Sequence, residues 1–308
     1  MNNFTKTKHL NRKIKSASLI LIYLLCVCFS FGQSVTKFSK DDILEDLKYL
    51  YESLKDAHYN VYAFTTKQKF DSIYNHLKYG IEKDSLNTLQ SINILQRLTS
   101  AVNNGHTEID FPVQPYIEYA QKGGTIFPLE IAFENNTPLI RKNWSSNKNI
   151  AIGSEILSIN GISIRDIVLK IDQQISAERR YFKNVKLELY SFPRYYWQVF
   201  GRQDEFEVEI RLNDTIKVHT IKAIDIFEGY EIKRTEILNA KMHLKFIKHS
   251  AYLNPGNFSG DLQKYQKFID SAFLEIQNKA SKNLIIDLRN NGGGDDVFSD
   301  YLVSYIAD

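Results

Sequence analysis

The sequence predicts an α+β chain of more than one domain, on three observations. Residues 39–104 carry apolar side chains at helical spacing. From Gly123 onward, short runs rich in β-branched residues alternate with Asn, Gly and Asp. From Lys241 the order becomes strand, strand, helix, strand, helix. At 308 residues, with 43% apolar and 13% aromatic composition, the chain has enough material to bury a substantial core.

The N-terminus reads as an address. Lys6, Lys8, Arg12, Lys13 and Lys15 make a basic start with no acidic residue, and Leu19 to Phe31 is apolar but short for a bilayer span. A signal peptide over 1–32, cleaved near Gly32, and an exported protein are expected; an uncleaved anchor is the alternative. Residues 1–32 hold five of the 39 Lys+Arg and none of the 36 Asp+Glu, which leaves 34 basic against 36 acidic groups. The basic excess belongs to the leader, so the mature chain offers no electrostatic case for nucleic acid. Cys26 and Cys28 leave with it. A cysteine-free remainder excludes disulfides, a thiolate nucleophile and thiolate zinc sites. No His-Glu-x-x-His or similar spacing occurs, so neither metal nor cofactor is expected.

From Ser39 to Ala57, apolar residues recur at Ile43, Leu44, Leu47, Leu50, Tyr51 and Leu54, with Ser39 as cap and Asp41 and Asp42 at the positive end of the helix dipole. Helices are expected again over Lys67–Ile81 and from Ser85 to Val102, forming a helical domain bounded at 33–112. The third ends at Asn103-Asn104-Gly105, a stop signal, and His106 follows at once. A histidine just past a helix end is well placed to be oriented by the backbone; an exposed loop histidine is the plainer reading. His58 and His76 fall on helical surfaces, and His219, His243 and His249 lie in or beside strand-like runs.

A strand-rich domain is expected over 113–235. Its strands are Thr125–Phe133, Pro138–Lys142, Ser154–Ile159, Glu205–Leu212 and Thr215–Ile224, with hairpin turns at Asn135-Asn136 and Asn213-Asp214. Ile164–Ile175 reads as a helix. Residues 176–203 read as a polar and aromatic insertion whose Tyr195, Tyr196 and Trp197 serve packing.

In the last segment, 236–308, strands are expected at Met242–Ile247 and Ser250–Leu253, a helix at Asp261–Ala280, and a strand at Leu284–Leu288. The continuous apolar run Leu284-Ile285-Ile286 suits a buried parallel strand. Gly292, Gly293 and Gly294 follow, and a helix restarts near Asp295. Such a turn brings unshielded amide N–H groups to a helix N-terminus, which suits an anion or oxyanion; a turn that only packs helix on sheet is the alternative. The spacing is neither the dinucleotide fingerprint nor the phosphate loop, and no lysine follows the glycines. So few strands leave apolar faces uncovered, so this domain is expected to be incomplete as it stands.

Three motifs in this order carry a resemblance: Asn104-Gly105-His106-Thr107, then Glu155-Ile-Leu-Ser-Ile-Asn160-Gly161, then Ile285-Ile-Asp287-Leu-Arg289-Asn-Asn-Gly292-Gly293-Gly294. Together they resemble the tail-specific, carboxyl-terminal-processing serine proteases, and the histidine points to the tricorn-like branch. The resemblance covers roughly residues 39–308. It implies a helical domain, a PDZ-like domain that adds a substrate carboxyl-terminal strand to its sheet edge, and the start of a catalytic α/β domain of ClpP/crotonase type. It implies that His106 is the general base and that the Gly292, Gly293 and Gly294 amides face the acyl oxyanion. The nucleophilic serine and the last catalytic partner are expected beyond Asp308; Ser299 and Ser304 are not assigned that role. The expected partner is a polypeptide substrate, engaged through its C-terminus in the PDZ-like reading. The alternative is a non-catalytic peptide-binding or scaffolding relative.

Overall fold

The computed structural model describes residues 36–235, 237 and 240–307, so the expected leader lies outside the described residues. The chain divides into two compact units, one ending at Val102 and one starting at Asn103.

The first unit is helical. A short strand β1 (Lys37–Ser39) leads into α1 (Lys40–Ala57). Ser39 closes a capping box: its Oγ accepts the Asp42 N–H while the Asp42 carboxylate accepts the Ser39 N–H at 3.0 Å. Helix α2 (Lys67–Tyr79) is capped by Thr66. The third helix begins later than its apolar pattern suggests, because Ser85–Asn87 forms β2, antiparallel to β1, before α3 (Thr88–Ser100) starts on an Asn87–Gln90 capping box. Leu47, Phe70, Leu77, Leu98 and Val102 form the core between the helices. Tyr51 stacks on Tyr74 at 4.1 Å and donates its hydroxyl to Asp71 Oδ1 at 2.6 Å.

The second unit opens with a helix the periodicity did not reveal, α4 (Val113–Gln121). Next come β3 (Thr125–Ile126), β4 (Leu129–Glu134), β5 (Thr137–Asn143), β6 (Glu155–Ile159) and β7 (Ile162–Ser163). Helix α5 (Ile164–Ile171) follows, then α6 (Arg180–Tyr190), α7 (Phe192–Phe200), β8 (Glu205–Leu212), β9 (Thr215–Lys222) and β10 (Ile224–Asp225). The main sheet runs β4-β5-β6-β8-β9, with β7 on β6, while β3 pairs with β10. The turn pairs behave as their residue types demand: Asn135 and Asn136, and Asn213 and Asp214, all have positive φ. Residues 176–203 are mostly the two helices α6 and α7. Tyr195, Tyr196 and Trp197 are buried there, as packing aromatics should be, with Tyr196 stacked on Phe127 at 5.7 Å.

Strand β4 lies at one edge of the sheet, and α6 covers part of it: the Phe133 N–H donates to Glu188 Oε1 at 2.7 Å. A fully buried polar cluster ties this region together. Arg234, 1% exposed, sets its Nε 3.2 Å from Glu130 Oε1 and donates Nη2 to the Glu188 and Leu189 carbonyls at 3.1 and 2.6 Å. The Tyr230 hydroxyl donates to the same Glu130 carboxylate.

The chain then forms β11 (His243–Ile247), β12 (Ser250–Asn254), α8 (Leu262–Asn278), β13 (Asn283–Ile286) and α9 (Asp296–Val303). Strand β12 pairs antiparallel with β11 and parallel with β13. Leu253, Tyr265, Ile269, Ala272, Phe298 and Leu302 form the core between this sheet and its helices. The parallel pairing of β13 agrees with its sequence, but its burial does not. It is an edge strand, with Ile285 48% exposed. Only the face carrying Leu284 and Ile286 meets the α8 and α9 side of the core.

Candidate functional site

The glycine turn is built from the end of β13. The Asp287 N–H continues the ladder to Leu253 O at 2.8 Å, and Arg289 folds back to grip the same residue. Its Nε and Nη2 donate to Asp287 Oδ1 and Oδ2 at 2.8 and 2.9 Å, and Nη2 also reaches the Tyr252 hydroxyl at 3.0 Å. The Arg289 guanidinium, with the Tyr252 hydroxyl, holds the Asp287 carboxyl well below the usual carboxylate range. The Asp and Arg of the motif therefore fix where the strand ends.

The turn itself is tied to loop 254–260. Asn291 donates Nδ2 to Gly256 O at 2.7 Å, the Phe258 N–H donates to Gly293 O at 3.2 Å, and the Asp295 N–H donates to Phe258 O at 2.8 Å. Gly293 and Gly294 have φ of 84° and 140°. At Gly294 a Cβ would lie 1.9 Å from Phe258 O, so this position needs glycine twice over, for its dihedral and for the close approach. Two of the amides expected to face an oxyanion have side-chain partners. The Gly293 N–H donates to Asn291 Oδ1 at 2.7 Å, and the Gly292 N–H to Asn257 Oδ1 at 3.5 Å, a weak bond. Ser299 and Ser304 turn their hydroxyls to carbonyls of their own helix, those of Asp296 and Tyr301.

His106 is exposed on a loop that begins at Asn103, whose φ is 53°. Its N–H donates to Asn104 Oδ1 at 2.9 Å. The residue before it is clamped on both sides of its peptide. Glu178 Oε1 accepts the Gly105 N–H at 2.8 Å, Lys186 Nζ donates to Gly105 O at 3.0 Å, and Ser176 Oγ donates to Asn104 O at 2.8 Å. Lys186 is 4% exposed and also pairs with Glu108 at 2.6 Å. The Gly105 N–H, with the backbone N–H of Glu178 itself, keeps the Glu178 carboxyl below the ordinary range. A side chain at Gly105 would strike Phe182 at 2.6 Å.

The structure thus places Gly292, Gly293 and Gly294 in one turn anchored by loop 254–260, and His106 on a second loop anchored by Ser176, Glu178 and Lys186. Asn257 and Asn291 had a visible signal, since Asn-Pro-Gly-Asn and Asn-Asn-Gly mark turns. Glu178 and Lys186 had none, being more than 70 residues from the loop they hold. Among the described residues, no group of three or more His, Cys, Asp or Glu side chains could hold a metal, and no helix is long and apolar enough to cross a membrane.

With this geometry in view, residues 249–306, the stretch containing β12, α8, β13, the glycine turn and α9, match the model of peptidase family S41. Among solved structures, the chain is similar in fold to mature CPAF complexed with lactacystin. That likeness has 13% identity and a TM-score of 0.55, and covers 86% of this chain and 59% of that one. A structure of mature CPAF is similar at 11% identity with a TM-score of 0.53, covering 86% of this chain and 58% of that one. The chain therefore spans somewhat under two thirds of the length of the structures it resembles. No curated protein matches the sequence.

Proposed function

We propose that this chain is part of an exported serine-type endopeptidase, of the tail-specific protease kind, that hydrolyses polypeptides through an acyl-enzyme. In this reading a serine hydroxyl supplied by chain following Asp308 attacks the scissile carbonyl. His106 takes the hydroxyl proton and returns it to the leaving amine, after which water attacks the acyl group by the same route. Amides of the Gly292–Gly294 turn receive the negative charge that develops on the carbonyl oxygen, the Gly292 N–H being the more readily released from its long bond to Asn257. The peptide clamp on Gly105 gives His106 a fixed base from which to act. The strand-rich part, PDZ-like in this reading, would hold the substrate chain.

The observation that carries the reading is the coincidence of the peptidase family S41 match with the strand, glycine turn and helix at 283–303. The test is covalent labelling of the longer protein by a fluorophosphonate probe. Labelling is expected, and His106→Ala is expected to abolish it while leaving the circular dichroism spectrum unchanged. Undiminished labelling of that variant would remove His106 from the mechanism and favour a lysine base. A non-catalytic peptide-binding or scaffolding role is the second reading, favoured by the Asn257 and Asn291 oxygens on the turn amides and by Glu188 on the β4 edge. A longer protein inert to the probe would select it.

A further inference from the structure

Beside loop 254–260 lies a cavity of about 590 Å³, bounded by residues 240–242 ahead of β11, that loop and the first turn of α8. It shares a wall with the turn. Asn257, which lines it, is the residue whose Oδ1 accepts the Gly292 N–H, and the adjoining Phe258 is bonded to Gly293 and Asp295. A peptide whose reacting carbonyl lay over the turn amides would have a neighbouring side chain beside this opening.

The chemistry of the walls is one-sided. Lys241 and Lys264 are exposed, Met242 adds apolar surface, and the one carboxylate among the described lining residues, Asp261, is committed to capping α8 through the Lys264 N–H at 3.0 Å. A second, independent feature is Tyr265. It lines the cavity, is only 2% exposed, and its buried hydroxyl has no hydrogen-bond partner among the described residues. Burial pushes this phenol up to about 12, so it stays protonated and available as a donor. A buried donor left unsatisfied is a standing cost that an incoming acceptor would relieve. Two ammonium groups and an unpartnered hydroxyl on the residues lining one cavity call for an acceptor with negative charge.

We propose that this cavity is a substrate subsite that receives the carboxylate of an acidic side chain, glutamate or aspartate, close to the bond held at the glycine turn. The proposal rests on the peptidase reading above and adds its substrate class. A free C-terminal carboxylate has the same chemistry, and the two sources separate by experiment. The chain of 308 residues is titrated, by fluorescence anisotropy, against three labelled octapeptides of alanine and glycine: one amidated with a single glutamate, its glutamine twin, and the glutamine peptide with a free C-terminus.

The amidated glutamate peptide is expected to bind about tenfold tighter than its twin, as a charge-assisted hydrogen bond implies. Tyr265→Phe and, separately, the pair Lys241→Gln with Lys264→Gln are expected to erase that preference. Tyr265→Phe is expected at the same time to keep or raise the melting temperature, since it removes only the unsatisfied hydroxyl. A merely structural tyrosine would leave the preference intact, and that result overturns the proposal. So does equal affinity for the glutamate and glutamine peptides. Preference for the free C-terminus alone would overturn the side-chain assignment. None of these outcomes touches the peptidase reading, which falls separately if the longer protein is inert to the fluorophosphonate.

Discussion

Replacing Gly294 by alanine tests the turn most directly. A Cβ there would lie 1.9 Å from Phe258 O and 2.6 Å from its carbonyl carbon. Ordinary carbon–oxygen contacts begin near ~3.3 Å, so the two segments would have to part by more than about 1 Å. Parting breaks the Asp295 N–H bond to Phe258 O, now 2.8 Å, and stretches the Phe258 N–H bond to Gly293 O, now 3.2 Å. Each is worth about 1 kcal/mol net, and forcing alanine to the φ of 140° adds roughly 1–3 kcal/mol. Gly294→Ala should therefore destabilise the last part of the chain by about 3–5 kcal/mol. Gly292→Ala is the internal control, because a Cβ there meets nothing within 4 Å, and it should cost under about 1 kcal/mol. Urea unfolding followed by far-ultraviolet circular dichroism, with amide exchange over 250–303, reads the effect. Fluorescence would miss it, since Trp144 and Trp197 both lie in the strand-rich part. If Gly294→Ala unfolds within about 1 kcal/mol of the parent, or Gly292→Ala costs as much, the close-approach argument is wrong.

Three further outcomes follow from the same geometry. Arg234→Met leaves Glu130, 2% exposed, as a buried charge without its cation, and should cost about 3–5 kcal/mol in urea unfolding; adding Glu130→Gln should recover part of the loss. Lys186→Met should leave global stability within about 1 kcal/mol but raise amide exchange at 104–108 by tenfold or more, because the Gly105 carbonyl loses its donor. Asp287 has a depressed pKa in the fold, so its contribution to stability is fully present above about pH 5 and disappears as the pH falls from about 4 downward. Comparing urea midpoints at pH 6 and pH 3 checks this, and Arg289→Ala should flatten the difference.

Local chemistry was the legible part of this chain. The Ser39 cap, the apolar faces of α1 and α2 and the asparagine turns all depend on neighbours within a few residues, so the sequence carries them directly. Helix α4 was missed because its apolar face is broken by polar residues and its amphipathic signal is short. The exposure of β13 has a different origin: a continuous apolar run reports the capacity to be buried on both faces, whereas the number of covered faces depends on which elements pack there.

The site divides along the same line. Sequence alone determined that the glycines follow a strand and precede a helix, and that His106 follows a helix stop, because both are facts of chain order and backbone freedom. Only the tertiary structure decided what holds them. Asn257 and Asn291 occupy the turn amides, Glu178 and Lys186 fix the peptide before His106, and Glu188 takes an edge N–H of β4. Most of those contacts join residues tens of positions apart. Hydrogen bonds of that kind are selected by packing rather than by local pattern, so no reading of spacing could have supplied them.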